Sequence, residues 1–295
     1  MKIRVLGSAA GGGLPQWNCG CHNCSQARAG RLLSRFCAAV AVSADDEHWV
    51  VVNAGGDISR QLAADRALHP TSARATPIRA LLLTDANIDH TAGLLEFRQA
   101  DYFLTCSTDL VKKTLCEGPM FSQFAQGDKR WVTFPANDKT RVEVAEVGDL
   151  RIWARPVDGL LPSYAGGQER PGAAVAYVFE HRKARFVYAP IFLTLGEGLI
   201  GELEDADAML LDGTCWSDDE MIELGLGTRT SRAMGHVPIS GSGGSLDALA
   251  ALRAAHRYYT HINNSNPLVD PASAQSDIVR QAGIAVAHDG LEIEI

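Results

Sequence analysis

The sequence predicts a mixed α/β fold. Three observations carry this expectation. Short runs rich in β-branched and aromatic residues recur along the chain, segments of helical spacing lie between them, and IRALLLT at 78–84 is a near-continuous apolar run of the kind that forms a strand covered on both faces. Residues 2–6 read as a first strand running into a glycine turn. Residues 37–42 and Trp49–Val52 read as a hairpin joined by the polar SADDEH segment, and 58–67 as a helix. The strand at 78–84 ends in the polar DANIDH, and a helix is expected at 92–100. Strands follow at 141–147, 150–157, 173–179 and Ala184–Ala189, then a buried strand at 208–211 that ends at Asp212. The rest reads as a helix at 246–255, a strand at 257–261 ending on His261, a helix at 273–282 and a last strand at 291–295. At 225–244 lies a long glycine-rich loop, and loops of this length in a compact domain are usually functional or disordered.

Composition narrows the function classes. The 295 residues are 46% hydrophobic and 21% charged, which is globular usage and excludes whole-chain disorder. The 27 basic residues against 35 acidic ones give a net charge of −8, which argues against a sequence-independent grip on nucleic acid, since that needs clustered positive charge. There is no run of about 18 apolar residues, so no transmembrane helix is expected. The first residues, MKIRVLGSAAGGG, lack the apolar core of a signal peptide, and cytoplasm is the expected compartment. A single domain over 1–295 is expected, with no internal repeat or low-complexity linker. Cys37, Cys106, Cys116 and Cys215 stand singly in apolar segments and read as small core residues.

Cys19, Cys21 and Cys24 are different. They form C-x-C-x-x-C in a loop at about 17–26, and three thiolates in six residues can wrap one soft tetrahedral ion. Left unligated on a surface loop they would be a redox liability, so a structural zinc is the expectation. A closed site needs a fourth ligand, which the spacing leaves open between His22 and a residue from a distant loop. Asp85, Asn87, Asp89 and His90 follow the buried strand at 78–84. Together with Asp212 and His261 they place polar side chains at several strand ends, where open α/β sheets collect ligands. A carboxylate beside imidazoles suggests a divalent ion there.

At these residues a resemblance enters. TDANIDH at 84–90 resembles the T-H-x-H-x-D-H motif of the metallo-β-lactamase superfamily, with Thr84, Asp89 and His90 matching and Asp85 and Asn87 replacing two histidines. THINNSNP at 260–267 resembles the late histidine motif, with His261 as the match. LGSAAGGGLPQWNCGC, NIDHTAGLL, DGTCWSDDEM, GTRTSRAMGH and THINNSNPLVD are together similar to the coenzyme PQQ synthesis protein B family, from about residue 5 to residue 270. The resemblance implies an αββα sandwich, two mixed β-sheets flanked by helices with a metal site at their shared edge. It implies a role in making pyrroloquinoline quinone, as an iron-dependent, oxygen-using hydroxylase of the tyrosine ring of a Glu–Tyr precursor. It further implies a homodimer working beside other proteins of that pathway. A carrier of PQQ or its precursor, and a residual metal-dependent hydrolase, are the competing readings.

The departures from the superfamily motif have chemical meaning. With Asp85 and Asn87 in place of histidines, no histidine in ARPVDGLLPS and no aspartate in FVYAPIF, the first metal site of two-metal hydrolases is expected to be lost. Asp89, His90 and His261 remain as one carboxylate and two imidazoles, the donor set of mononuclear non-haem iron oxygenases, which also accepts zinc, manganese or copper. Asp85 or Asp212 is the expected base for the phenol proton. Arg229 and Arg232 are candidates for the two carboxylates of Glu–Tyr. His236, in the same loop, is open between lining the pocket, ligating the zinc and capping a turn. Superfamily members with the same cysteine cluster close it with a histidine three residues after the late motif histidine. Here that residue is Asn264, a poor zinc ligand, which leaves His22, His236 or Asp270 as alternatives.

Overall fold

The computed structural model describes residues 1–100, 103–125 and 129–295. In chain order the strands are β1 (Lys2–Gly7), β2 (Ala39–Ser43), β3 (Trp49–Val52), β4 (Ile78–Leu82), β5 (Phe103–Thr108) and β6 (Lys129–Phe134). They continue as β7 (Thr140–Val142), β8 (Arg151–Val157), β9 (Ala174–His181), β10 (Ala184–Ala189), β11 (Ala208–Asp212), β12 (His256–Thr260), β13 (Ala285–Val286) and β14 (Glu292–Glu294). Two sheets result, ordered β14-β1-β2-β3-β4-β5-β6 and β13-β12-β11-β10-β9-β8-β7. Read from β14 and from β7, each sheet has three antiparallel pairings followed by three parallel ones.

Side-chain alternation along the strands builds the layers. Val40, Val52 and Leu82 from the first sheet meet Tyr177, Phe179, Tyr188 and Leu210 from the second in one apolar layer between the sheets. The alternate residues point outwards. Ala41, Val51 and Leu81 pack under helical residues Ile58, Leu94 and Val111. Val178, Val187 and Met209 pack under Leu199, Leu203 and Val279. This is a metallo-β-lactamase fold, with helices outside two mixed sheets, as the resemblance implies.

Several elements differ from the sequence expectation. The strand expected at 141–147 stops at Val142, because Glu146 and Gly148 take left-handed backbone in a turn. The helix expected at 58–67 ends at Ala64, and the one at 246–255 ends at Ala250. At 92–100 the chain forms a 3-10 run, Ala92–Gln99, after the one-turn helix Ile88–Thr91. The helix Ala274–Gln281 starts where the sequence puts it, because the Ser273 hydroxyl accepts from the Ser276 N–H at 3.1 Å. β5 and β6 were not expected. Cys37, Cys106 and Cys215 are buried and Cys116 is half-buried, all four free. No helix among the described residues is long and apolar enough to cross a membrane.

Candidate metal centre

The polar residues gather where β3, β4, β11 and β12 end. After β3, Asn53 takes left-handed backbone (φ 65°) and its amide clamps Thr84, accepting from the Thr84 N–H and donating to Thr84 Oγ1, both at 2.9 Å. The Val175 N–H donates to the Thr84 carbonyl and the Tyr177 hydroxyl to the Leu83 carbonyl, each at 2.9 Å. The turn that follows β4 is thereby held from both sheets. Gly11 lies against it, and a Cβ there would sit 3.3 Å from the Asp89 carboxyl.

Three imidazoles converge on this point, and their hydrogen bonds fix their tautomers. His90 Nδ1 lies 2.6 Å from Asp85 Oδ2 and His236 Nδ1 lies 2.7 Å from Asp212 Oδ2. Each therefore donates its Nδ1 proton to a carboxylate. Thr214 Oγ1 donates its single proton to Asp212 Oδ1 at 2.6 Å, so it accepts from His261 Nδ1 at 2.7 Å. All three rings then keep an Nε2 lone pair. His90 and His261 meet edge to face at 5.0 Å, and His236 stacks on His261 at 5.2 Å.

Asp89 Oδ2 stands 3.3 Å from His261 Nε2 and 3.8 Å from His90 Nε2. These separations are near the roughly 3–3.5 Å that two donors keep when each binds one ion at about 2.1 Å. His90 Nε2 is buried and has no hydrogen-bond partner among the described residues. Such an orphan lone pair, aimed at a carboxylate and a second imidazole, fits a metal ion. Burial opposes a charged His90, yet the Asp85 and Asp89 carboxylates outweigh it and push its pKa up to about 9. Burial also opposes a charged Asp89, and the neighbouring His90 and His261 nonetheless pull it well below the usual carboxylate range. The centre thus stabilises positive charge, which a bound cation would supply.

Asp212, His236 and His261 form a second close group. Its short contacts are the proton-sharing ones just described, and Thr214 already bridges them, so it is a hydrogen-bond network rather than an ion cradle. His261 itself takes left-handed backbone (φ 56°), a conformation that costs a non-glycine residue on the order of 1–3 kcal/mol and is found at functional sites.

A cleft of about 220 Å³ opens above the centre, lined by Gly11, Asn87, Asp89, Ile191, Met234 and His236 among others. FVYAPIF contributes Ile191 to it, so an apolar side chain stands on that wall. Asp85 faces away from the cleft. Its carboxylate is taken up by His90, by the Thr84 hydroxyl at 2.7 Å and by the Asn87 N–H at 2.8 Å. This corrects the expectation of Asp85 as a base for substrate. Asp212 likewise reaches the cleft only through His236 and Thr214, which line it. Arg229 and Arg232 are not brought to the cleft either: Arg229 bonds the Ala233 carbonyl, and Arg232 the Ser242 and Gly243 carbonyls, so both brace their own loop. Sequence reading placed them near substrate because arginine binds carboxylates with a two-pronged geometry and a Glu–Tyr precursor carries two. It could not see that main-chain carbonyls occupy their guanidiniums.

The thiols of Cys19, Cys21 and Cys24 lie together, with Cys24 buried. None of the three alternative fourth ligands joins them. His22 is exposed, His236 is held by Asp212, and Asp270 accepts from the Ala272 N–H. The residue at the thiols is Asn264.

Residues 48–262 match the model of the beta-lactamase superfamily domain. The chain is 40% identical over 299 residues to the coenzyme PQQ synthesis protein B of Ruegeria pomeroyi, covering 99% of each. It is 39% identical over 306 residues to that of Pseudomonas aeruginosa, covering 100% of each. A crystal structure of zinc-bound PqqB from Methylobacterium extorquens superposes with a TM-score of 0.94 at 36% identity, over 100% of both chains. A diphosphatase of the PhnP family, at 20% identity and a TM-score of 0.68 over 100% of this chain and 97% of its own, shares the fold alone.

Proposed function

The chain belongs to the coenzyme PQQ synthesis protein B family within the beta-lactamase superfamily, and on that premise we propose that it serves PQQ biosynthesis as a mononuclear metal-dependent hydroxylase of the tyrosine ring in a Glu–Tyr precursor. The observation that carries this reading is the donor set. One carboxylate and two imidazoles, Asp89, His90 and His261, face a common point, while the residues of a second metal site are absent: Asp85 is turned to His90, and Ile191 stands in the segment expected to supply the bridging aspartate. Two-metal hydrolysis needs a bridged hydroxide, which this wall does not support. A ferrous ion on these three residues would supply oxygen activation at its open positions, and zinc, manganese or copper fit the same donors.

The protein's own residues shape the rest. A cleft of about 220 Å³ is smaller than the roughly 300–1,000 Å³ cavities that enclose a whole small ligand. It admits one aromatic side chain and leaves the remainder of a peptide outside. Ile191, Met221 and Met234 give that ring an apolar bed. His236 has Nδ1 committed to Asp212, which leaves Nε2 to accept the phenol proton. Asp212 holds that ring in its tautomer and is a positioning residue. One oxygen atom enters the ring and the other leaves as water, with two electrons drawn from an added reductant.

The test is substitution. His261→Ala should abolish both iron binding and formation of the hydroxylated Glu–Tyr product, and His236→Gln should keep iron while lowering turnover by about 10²–10⁴-fold. Full activity and full metal occupancy in His261→Ala would overturn the assignment.

A further inference from the structure

A second cavity lies apart from the metal cleft, between residues 31–35, the helix Ala274–Gln281 and β13. We infer that it is a binding site for a small carboxylate with an apolar body. The two cavities share no lining residue, so the inference stands whether or not the hydroxylase reading holds.

The space follows from the local fold. The helix Ala274–Gln281 is eight residues long, and Gly283 then takes left-handed backbone (φ 71°) to turn the chain into β13. β13 has only two residues, pairs with Tyr258 and Tyr259 of β12, and is the last strand of its sheet. So short an edge strand leaves a hollow of about 340 Å³ beside it, within the roughly 300–1,000 Å³ of cavities that enclose small ligands. Its floor is apolar. Leu268, Val269, Val279 and Ile284 line it, and all four belong to the buried layer outside the second sheet. Leu33, 74% exposed at the rim, extends that apolar surface outwards.

The charged residues of the wall all have one sign. Arg31, Arg35, Arg280 and the His288 ring line the cavity, and no carboxylate does. Two of the guanidiniums are tied at the rim: Arg31 bonds the Gln26 side chain, and Arg280 bonds Asp277 and, at 3.2 Å, the Pro271 carbonyl. Arg35 is only half committed. Its Nη1 donates to Ser8 Oγ at 2.9 Å and to the Ala287 carbonyl. Its Nε is buried and has no hydrogen-bond partner among the described residues. Nε and Nη2 form the edge of a guanidinium that grips a carboxylate with two parallel bonds. The neighbouring acid does not take that edge, because Asp289 accepts from the Ser8 hydroxyl at 2.7 Å and the Phe36 N–H at 2.6 Å. Burial lowers the Arg35 pKa, and Asp289 offsets this only in part, so a further anion beside Arg35 is favoured.

These features select one ligand chemistry. A buried donor without a partner is costly, and a carboxylate satisfies it with a charge-assisted bond. An apolar body on that carboxylate covers the floor and Leu33, which a bare inorganic anion would leave wet. A cation would meet three guanidiniums.

The experiment uses the full zinc-loaded chain and cyclohexylacetate as the probe, with cyclohexylacetamide and acetate as controls. Titration calorimetry reads affinity. Isoleucine methyl resonances read the place of binding, since Ile284 lines this cavity and Ile191 lines the metal cleft. Cyclohexylacetate should shift the Ile284 methyl and leave Ile191 in place. The amide, which lacks the charge, and acetate, which lacks the body, should each bind roughly 10–100-fold more weakly. Arg35→Gln should weaken cyclohexylacetate by a similar factor. Ala285→Trp, at an exposed position of β13 that lines the cavity, should block binding altogether. Near-ultraviolet circular dichroism checks folding, and if Arg35→Gln does not fold, Ala285→Trp and the amide decide. No saturable binding at millimolar cyclohexylacetate, equal affinity for the amide, or a response at Ile191 in place of Ile284 would overturn the assignment. So would unchanged binding in Ala285→Trp.

Discussion

Each imidazole at the centre is held by its outer nitrogen: His90 by Asp85, His236 by Asp212, and His261 by Thr214. Such partners fix ring orientation and raise ligand basicity, and losing one typically lowers metal affinity 10–100-fold. Asp85→Asn should therefore leave the fold intact and reduce affinity at Asp89, His90 and His261 within that range, as read by titration of the metal-free chain. An unchanged affinity would mean that Asp85 only fills space. Much of this constellation was legible in the sequence. Asp89, His90 and His261 sit after apolar runs whose direction could be read, and the motif at 84–90 marks them. The division of labour was not legible. Asp85 and Asp89 are four residues apart and chemically alike, and only the turn after β4 decides that one backs His90 while the other faces the cleft. Arg229 and Arg232 show the same limit from the other side, because no pattern in GTRTSR reveals that carbonyls of 233, 242 and 243 take their guanidiniums.

At the scale of elements, close approach and buried charge hold the strand ends in place. The loop after β3 packs on the run after β4 so tightly that a Cβ on Gly93 would lie 2.2 Å from the Gly55 carbonyl oxygen, and one on Gly55 would lie 2.7 Å from the Asp89 carbonyl oxygen. Gly93→Ala should destabilise the chain by about 1–3 kcal/mol in denaturant titration, since the nearest neighbour is the Gly55 carbonyl and the next, the buried Ile58 side chain at 2.6 Å, is itself packed in the core. On the second sheet, Glu202 of the helix Glu197–Glu204 is nearly fully buried and receives Lys139 at 2.9 Å, Arg155 at 2.8 Å and Arg185. Burial alone would raise its pKa, but these three cations win and lower it. A lowered pKa means that the ionised form is favoured by folding. Its stabilisation is complete above the unfolded value of about 4.3 and is lost as pH falls through the folded value. Glu202→Gln should cost about 2–4 kcal/mol at neutral pH, and the gap to wild type should narrow in acid. A pH-independent gap would show that packing, not charge, is what the glutamate supplies. The elements that sequence reading missed are instructive here. β5 carries the polar run Thr105, Ser107 and Thr108, all buried, and its strand character comes from pairing with β4 and β6 rather than from an apolar pattern.

For the whole molecule, the two sheets repeat one order of pairings, three antiparallel and then three parallel, and the metal centre lies where the parallel strands of both end. No sequence repeat betrays this, because each half uses the same alternation with different residues. The layered α/β class could still be read, since alternation and helical spacing survive where identity does not. The chain's ends meet in one sheet, β14 pairing β1, and the Met1 amino group bonds the Ile295 carbonyl. Ser8, whose carbonyl accepts from the Ile262 N–H next to His261, donates its hydroxyl to Asp289 at 2.7 Å. A centre built from residues 89, 90 and 261 is therefore a product of the complete fold. In the proposed reaction, one ion on these three residues directs molecular oxygen into a phenol ring. The most direct measurement supplies the iron-loaded chain with Glu–Tyr, a reductant and isotopically heavy oxygen gas in ordinary water, then follows the product by mass spectrometry. The proposed hydroxylation gives a ring hydroxyl carrying one heavy oxygen atom, absent when Asp89 and His90 are both replaced by alanine. A product whose new oxygen comes from water, or no product at full iron occupancy, would contradict it.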